Sequence, residues 1–166
     1  MRLSLLIPLT FFTGCSGVTI TNDWSGTMTC DNNTLVVVEL DLDEPSDGSD
    51  DELEYRGDFF YQTFADVSNR QGEYQVEVDW QGSLRATQPE PEGAQDIEFI
   101  LQQSTTAKCR YYQDDELLDE TCYFNGLPLG YEFVSEHEGD WDGLNEMDFG
   151  NLNCTGAIER DDPIEE

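Results

Sequence analysis

Tyr74-Gln75-Val76-Glu77-Val78-Asp79-Trp80-Gln81 alternates apolar and polar side chains without a break. Successive residues of a β-strand point to opposite faces, so Tyr74, Val76, Val78 and Trp80 form a buried face and Gln75, Glu77, Asp79 and Gln81 a solvated one. The same period runs through residues 34–43, where Val36, Val38, Leu40 and Leu42 alternate with Val37, Glu39, Asp41 and Asp43. Outward from these two runs, further strands are expected at 24–30, 53–64, 83–87, 96–103, 107–112, 121–124, 131–135 and 152–158. Gly57, inside the 53–64 run, predicts a bulge or a close approach of backbones. Asp31-Asn32-Asn33 and Gln113-Asp114-Asp115-Glu116 have turn composition, the latter that of a hairpin tip. No window of useful length has a helical period. The expected fold is all-β, an antiparallel up-and-down barrel of about 8–10 strands, with a β-sandwich as the alternative arrangement of the same pattern.

Charge narrows the function classes. Thirty-seven acidic side chains stand against seven basic ones, for a net charge of −30, and Lys108 is the one lysine. Phosphate backbones are held by clustered Lys and Arg, so a nucleic-acid partner is excluded. Such a chain stays soluble through its charge but repels itself, which calls for screening ions or covalent staples.

At the N-terminus, Arg2 precedes an apolar run of Leu3, Leu5, Leu6, Ile7, Leu9, Phe11 and Phe12 that is too short to span a bilayer. This is the composition of an export signal. Its ending, Phe12-Thr13-Gly14-Cys15-Ser16, resembles the lipobox of bacterial lipoproteins. The resemblance implies cleavage after Gly14, acylation of Cys15, and a mature chain held at the bilayer by its acyl groups. It also implies a place in the bacterial envelope, and on the outer membrane, since Ser16 is not the Asp that retains enterobacterial lipoproteins at the inner one. The domain plan is then a signal at 1–14, a lipidated tether at 15–22, a single acidic β-domain at 23–160 and a disordered acidic tail at 161–166.

Setting Cys15 aside leaves Cys30, Cys109, Cys122 and Cys154, an even number suited to disulfides in an oxidising compartment. Three pairings exist. The preferred one joins Cys109 to Cys122 across the hairpin tip and Cys30 to Cys154, tying the first strand to the last. Such a seam favours the barrel over the sandwich, as do the short turns. Trp24-Ser25-Gly26 also opens the first strand in a way similar to lipocalin-like barrels, where the tryptophan plugs one end; those barrels have Gly two places earlier, where this chain has Asn22. The setting of Trp24 recurs, in Asp79-Trp80-Gln81-Gly82 and Asp140-Trp141-Asp142-Gly143, either through an old duplication or by coincidence. All three tryptophans are expected to pack in the core.

Candidate sites are few. Asp43, Asp47 and Glu54 fall on the first, fifth and twelfth places of the calcium-loop pattern, with Gly48 on its glycine, but Pro45 on the third place and strand flanks exclude an EF-hand. Weak Ca²⁺ binding there, or at Asp140, Asp142 and Asp148, is the metal expectation; no other cofactor is expected. No catalytic residues are assigned, because the nucleophile elbow, the zinc-protease helix motif and the phosphate loop are lacking. His137, between Glu136 and Glu138, reads as an exposed hairpin-end histidine with a raised pKa. The functional expectation is a non-enzymatic envelope lipoprotein whose acidic β-domain is a structural or interaction module, with the bilayer and another envelope protein as partners. The alternative is a lipocalin-like binder of a small apolar ligand or lipid, and calcium-dependent adhesion ranks third. An interior filled by Tyr74, Trp80, Phe99, Tyr111 and Phe133 would favour the module.

Overall fold

The computed structural model describes residues 19–45, 52–89, 95–103, 107–122 and 133–164. These hold ten strands and no helix: β1 (Asn22–Cys30), β2 (Leu35–Leu42), β3 (Glu52–Asn69), β4 (Gly72–Pro89), β5 (Gln95–Gln103), β6 (Lys108–Gln113), β7 (Glu116–Asp119), β8 (Glu136–Trp141), β9 (Glu146–Gly150) and β10 (Cys154–Arg160). Their order, β3-β2-β1-β10-β9-β8-β5-β4 with β4 paired back to β3, closes an eight-stranded antiparallel barrel. The barrel expected from the alternation is therefore present, and the sandwich is not. β6 and β7 stand outside the ring: β5 occupies the edge of β4 along Gly82–Thr87, and β6 continues along Gln75–Asp79 of that edge.

The seam is where the cysteines placed it. β1 and β10 pair from Trp24↔Arg160 to Cys30↔Cys154, and the last pair is disulfide-bonded. Cys109 and Cys122 form the second disulfide, which ties β6 to the chain beyond β7. Between β6 and β7 the tip residues Asp114 and Asp115 take φ of 51° and 64°, the left-handed pair that a two-residue hairpin requires and that Asp tolerates.

Alternation also selects the core. Val36, Val38, Leu40 and Leu42 are buried, as are Tyr74, Val76, Val78 and Trp80, while their neighbours face outward. Gly57 is a close approach and not a bulge: the register runs through it on both sides, and a Cβ there would lie 1.7 Å from the carbonyl oxygen of Asp41. Strand coiling brings the backbones together at this point, so only glycine fits.

Several boundaries differ from expectation. The run at 53–64 belongs to β3 and the separate runs at 74–81 and 83–87 merge into β4, two paired strands of 18 residues each, with Gly82 lying inside β4 instead of ending a strand. Residues 123–132 lie outside the described set; the described parts of the two strands expected there, Thr121–Cys122 and Phe133–Ser135, are not in strands. Leu152 is fully exposed before β10. The three Asp-Trp-x-Gly settings are not equivalent, since Gly26 and Gly82 are strand residues whereas Gly143 is in a turn at φ 87°. Their tryptophans nevertheless share one fate, burial at 6% exposure or less.

Candidate functional site

One end of the barrel is sealed by the segment leading into β1. Trp24 is buried and donates its indole N–H to the Ile20 carbonyl at 2.9 Å. Arg160, its cross-strand partner on the last strand, lies over the indole ring at 4.8 Å and donates to the carbonyls of Thr21 and Thr19, each at 2.7 Å, and of Leu144 at 3.2 Å. Burial lowers the Arg160 pKa, yet an arginine stays cationic, and the ring face and three carbonyls compensate its lost hydration. Next to this plug the Tyr55 hydroxyl donates to Gln88 Oε1 at 2.7 Å inside the barrel, and burial pushes the phenol pKa up to about 12. Asn22, where lipocalin-like barrels have glycine, sits at φ 152°, with its side-chain oxygen accepting from the Asp23 N–H at 2.7 Å.

The interior is filled. Tyr61, Phe99, Tyr111 and Phe149 are at most 2% exposed, Tyr74 and Trp80 6%. Phe133 stacks between Phe59 and Trp80, at ring separations of 5.6 and 5.7 Å. His137 belongs to this core, which overturns the exposed-loop reading: it lies on β8, 2% exposed, stacked on Phe149 at 5.1 Å and edge-on to Tyr61. Glu136 and Glu138 flank it in sequence but point to the outer face of the strand, so they do not govern its titration. Burial instead lowers its pKa to about 4. The neighbouring amide adds to this. Asn151 Oδ1 accepts from the backbone N–H groups of Asn153 and Cys154, so Asn151 Nδ2 donates to His137 Nε2 at 3.0 Å. The ring proton is therefore on Nδ1, which has no partner among the described residues. A second proton on Nε2 would face another donor.

The outer surface carries the remaining polar clusters. Two features stand out there. On β3, β4 and β6, Arg110 donates to both Glu77 and Asp79 at 2.9–3.1 Å, and Gln62 bridges the same two carboxylates at 2.8 and 3.1 Å. These hydrogen bonds to two carboxylates raise the Arg110 pKa and clamp β6 to β4. Around the barrel, an open groove of about 740 Å³ is lined by Asp23, Glu39, Asp41, Asp58 and Asp161 beside Phe60. Asp41 has a raised pKa, first through partial burial and then through Asp23, Asp43 and Asp58.

Of the expected site residues, Cys15 and Asp47 lie outside the described set. Asp43 is exposed, and the Glu54 carboxylate accepts from Arg56 at 3.1 and 3.2 Å. Asp142 Oδ1 caps its own hairpin turn, accepting from the N–H groups of Leu144 and Glu146, while Asp140 faces Asp148 across β8 and β9. Among the described residues no three His, Cys, Asp or Glu side chains converge on a metal position. The tail is held at its start: Asp161 accepts from the Ser25 hydroxyl, and Ile164 exchanges two hydrogen bonds with Asn145. Sequence reasoning missed Arg160, although its place two residues after Ile158 on an alternating strand was a usable signal for an inward-facing cation. Comparison with protein-family models, curated proteins and solved structures finds no match to this chain.

Proposed function

We propose that this chain is a non-enzymatic, lipid-anchored module of the bacterial envelope, attached through Cys15, that works by the outer surface of its barrel. The observation carrying this reading is the filled interior: inward side chains of β1–β5 and β8–β10, with Phe133 between Phe59 and Trp80, occupy the space in which a lipocalin-like barrel would hold its ligand. Binding of an apolar molecule or lipid in transit is accordingly the weaker alternative. The paired cysteines support export, because disulfides persist in oxidising compartments. The composition suits a surface that meets other envelope proteins, since −30 charge keeps copies apart.

Cell fractionation of the Cys15→Ser chain tests the anchor. The natural chain is expected with membranes and the variant in the soluble fraction; a variant that stays with membranes overturns the anchor. Native mass spectrometry of the same soluble variant tests the filled interior. The mass should equal that of the polypeptide, and a co-purifying apolar molecule would transfer the case to the lipocalin-like reading.

A further inference from the structure

The ladder between β2 and β3 stops at Leu35↔Phe64, but β3 and β4 remain paired as far as Asn69↔Gly72. Residues 65–68 of β3 therefore have, among the described residues, a strand on one side only. Exposed edges are normally guarded by charged side chains, lysine above all, by proline or by a bulge. The stretch Ala65-Asp66-Val67-Ser68 has no lysine, proline or bulge, and its one charge is the Asp66 carboxylate, which repels acidic strands and admits cationic ones.

The surroundings of this edge are specific. Leu35 and Phe64, a cross-strand pair on the outer surface, are 41% and 39% exposed. They line an open groove of about 540 Å³ together with Asn33, Asp66, Tyr112 and Asp115. The nearby Glu77 carboxylate is taken by Arg110, whereas Asp66 and Asp115 make no ion pair among the described residues. On the inner side, Ala65 and Val67 are half-buried, and Val67 packs on the core.

We propose that the open edge of β3 at residues 65–68 docks an extended cationic segment of a partner protein by strand addition. Main-chain hydrogen bonds along such an edge supply affinity, and alternate side chains supply specificity. Here the period-2 alternation divides the partner's side chains between two environments. One set meets Ala65 and Val67 and must be apolar. The other set lies over Phe64 and Asp66, near Asp115, and is Lys or Arg, which pairs with the carboxylates and stacks on the ring. A second copy of this chain is disfavoured as occupant by mutual repulsion at −30 charge. The proposal rests on the interaction-module reading and names the partner's chemistry.

The test uses the full chain in detergent micelles and a capped octapeptide of alternating valine and lysine. Amide hydrogen exchange at residues 65–68 should slow on saturation. Two N-methylated peptides separate strand addition from charge attraction: methylation of one alternate set should weaken binding at least tenfold, and of the other set hardly at all. Phe64→Ser should weaken it several-fold, while Asp41→Asn in the other groove leaves it unchanged. Absence of binding, equal binding of both methylated peptides, protection elsewhere on the barrel, or a dimer formed through this edge would each overturn the proposal. None of these results bears on membrane attachment through Cys15, so the two readings fail separately.

Discussion

His137 links one buried ring to the acid stability of the whole barrel. Its folded pKa of about 4 lies below the ordinary 6.5, so above pH 6.5 neither state carries the extra proton and the ring contributes no pH dependence. As the pH falls from 6.5 towards 4, the unfolded chain takes up a proton that the folded chain refuses, and stability drops by about 3 kcal/mol across that window. His137→Phe removes this linkage. In urea titrations the stability of the natural chain should fall relative to the variant between pH 7 and pH 4; parallel curves would show that the ring does not titrate as its burial dictates. Gly57 is the steric counterpart. With the Asp41 carbonyl 1.7 Å from any Cβ, Gly57→Ala should destabilise the barrel by about 3 kcal/mol or more, read as a lowered melting temperature. Gly57 was legible as a special position because a glycine stands in a strand run. His137 was misread because its acidic neighbours are adjacent in sequence but lie on the opposite face of the strand.

Among the elements, the β6–β7 hairpin depends most on a few contacts, since it stands outside the closed ring. Arg110 and the Cys109–Cys122 disulfide hold it. Arg110→Met leaves Glu77 and Asp79 side by side with Gln62 alone between them. Because all three charged groups are partly exposed, the cost should be about 2 kcal/mol, below that of a fully buried pair. Amide exchange in Lys108–Gln113 should accelerate more than in β5, which shares the edge of β4 without using Arg110. Uniform acceleration would mean that the cluster supports the barrel as a whole. The hairpin was readable from Gln113-Asp114-Asp115-Glu116 and from the spacing of its cysteines. Its attachment to one half of β4 was not, because that half became available only when β5 left the edge.

Across the whole molecule, closure works against charge. Asp96, Asp140 and Asp148 lie in one cross-strand row on the outer face, and Glu98 faces Glu138 in the next. Like charges directly opposite destabilise a sheet. Salt should therefore raise the melting temperature steadily between 10 mM and 0.5 M NaCl, where the screening length shortens from roughly 30 Å to a few Å; a flat response would show that these rows are already neutralised. The Cys30–Cys154 bridge opposes the same repulsion at the seam. Its loop spans 124 residues, so replacing both cysteines with serine should remove about 4–5 kcal/mol in the chain-entropy description. Equilibrium unfolding of the non-reduced protein measures this directly.

The sequence by itself determined the strand alternation, the identity of most inward residues and the acidic outer face, and it favoured one of three cysteine pairings, which the fold then selected. These are local properties: period, turn chemistry and charge are carried by neighbouring residues, and a two-residue period assigns faces before any partner strand exists. Tertiary structure alone decided which strand edges remain open and which polar side chains enter the core. Arg160 became a plug because closure placed it opposite Trp24, and His137 became a core residue because β8 continues beside β5. Among the described residues, 65–68 have no second neighbouring strand because β2 begins only at Leu35, opposite Phe64, and its neighbour β3 is longer. Each of these depends on strand lengths and register across the ring, which no single stretch of sequence contains.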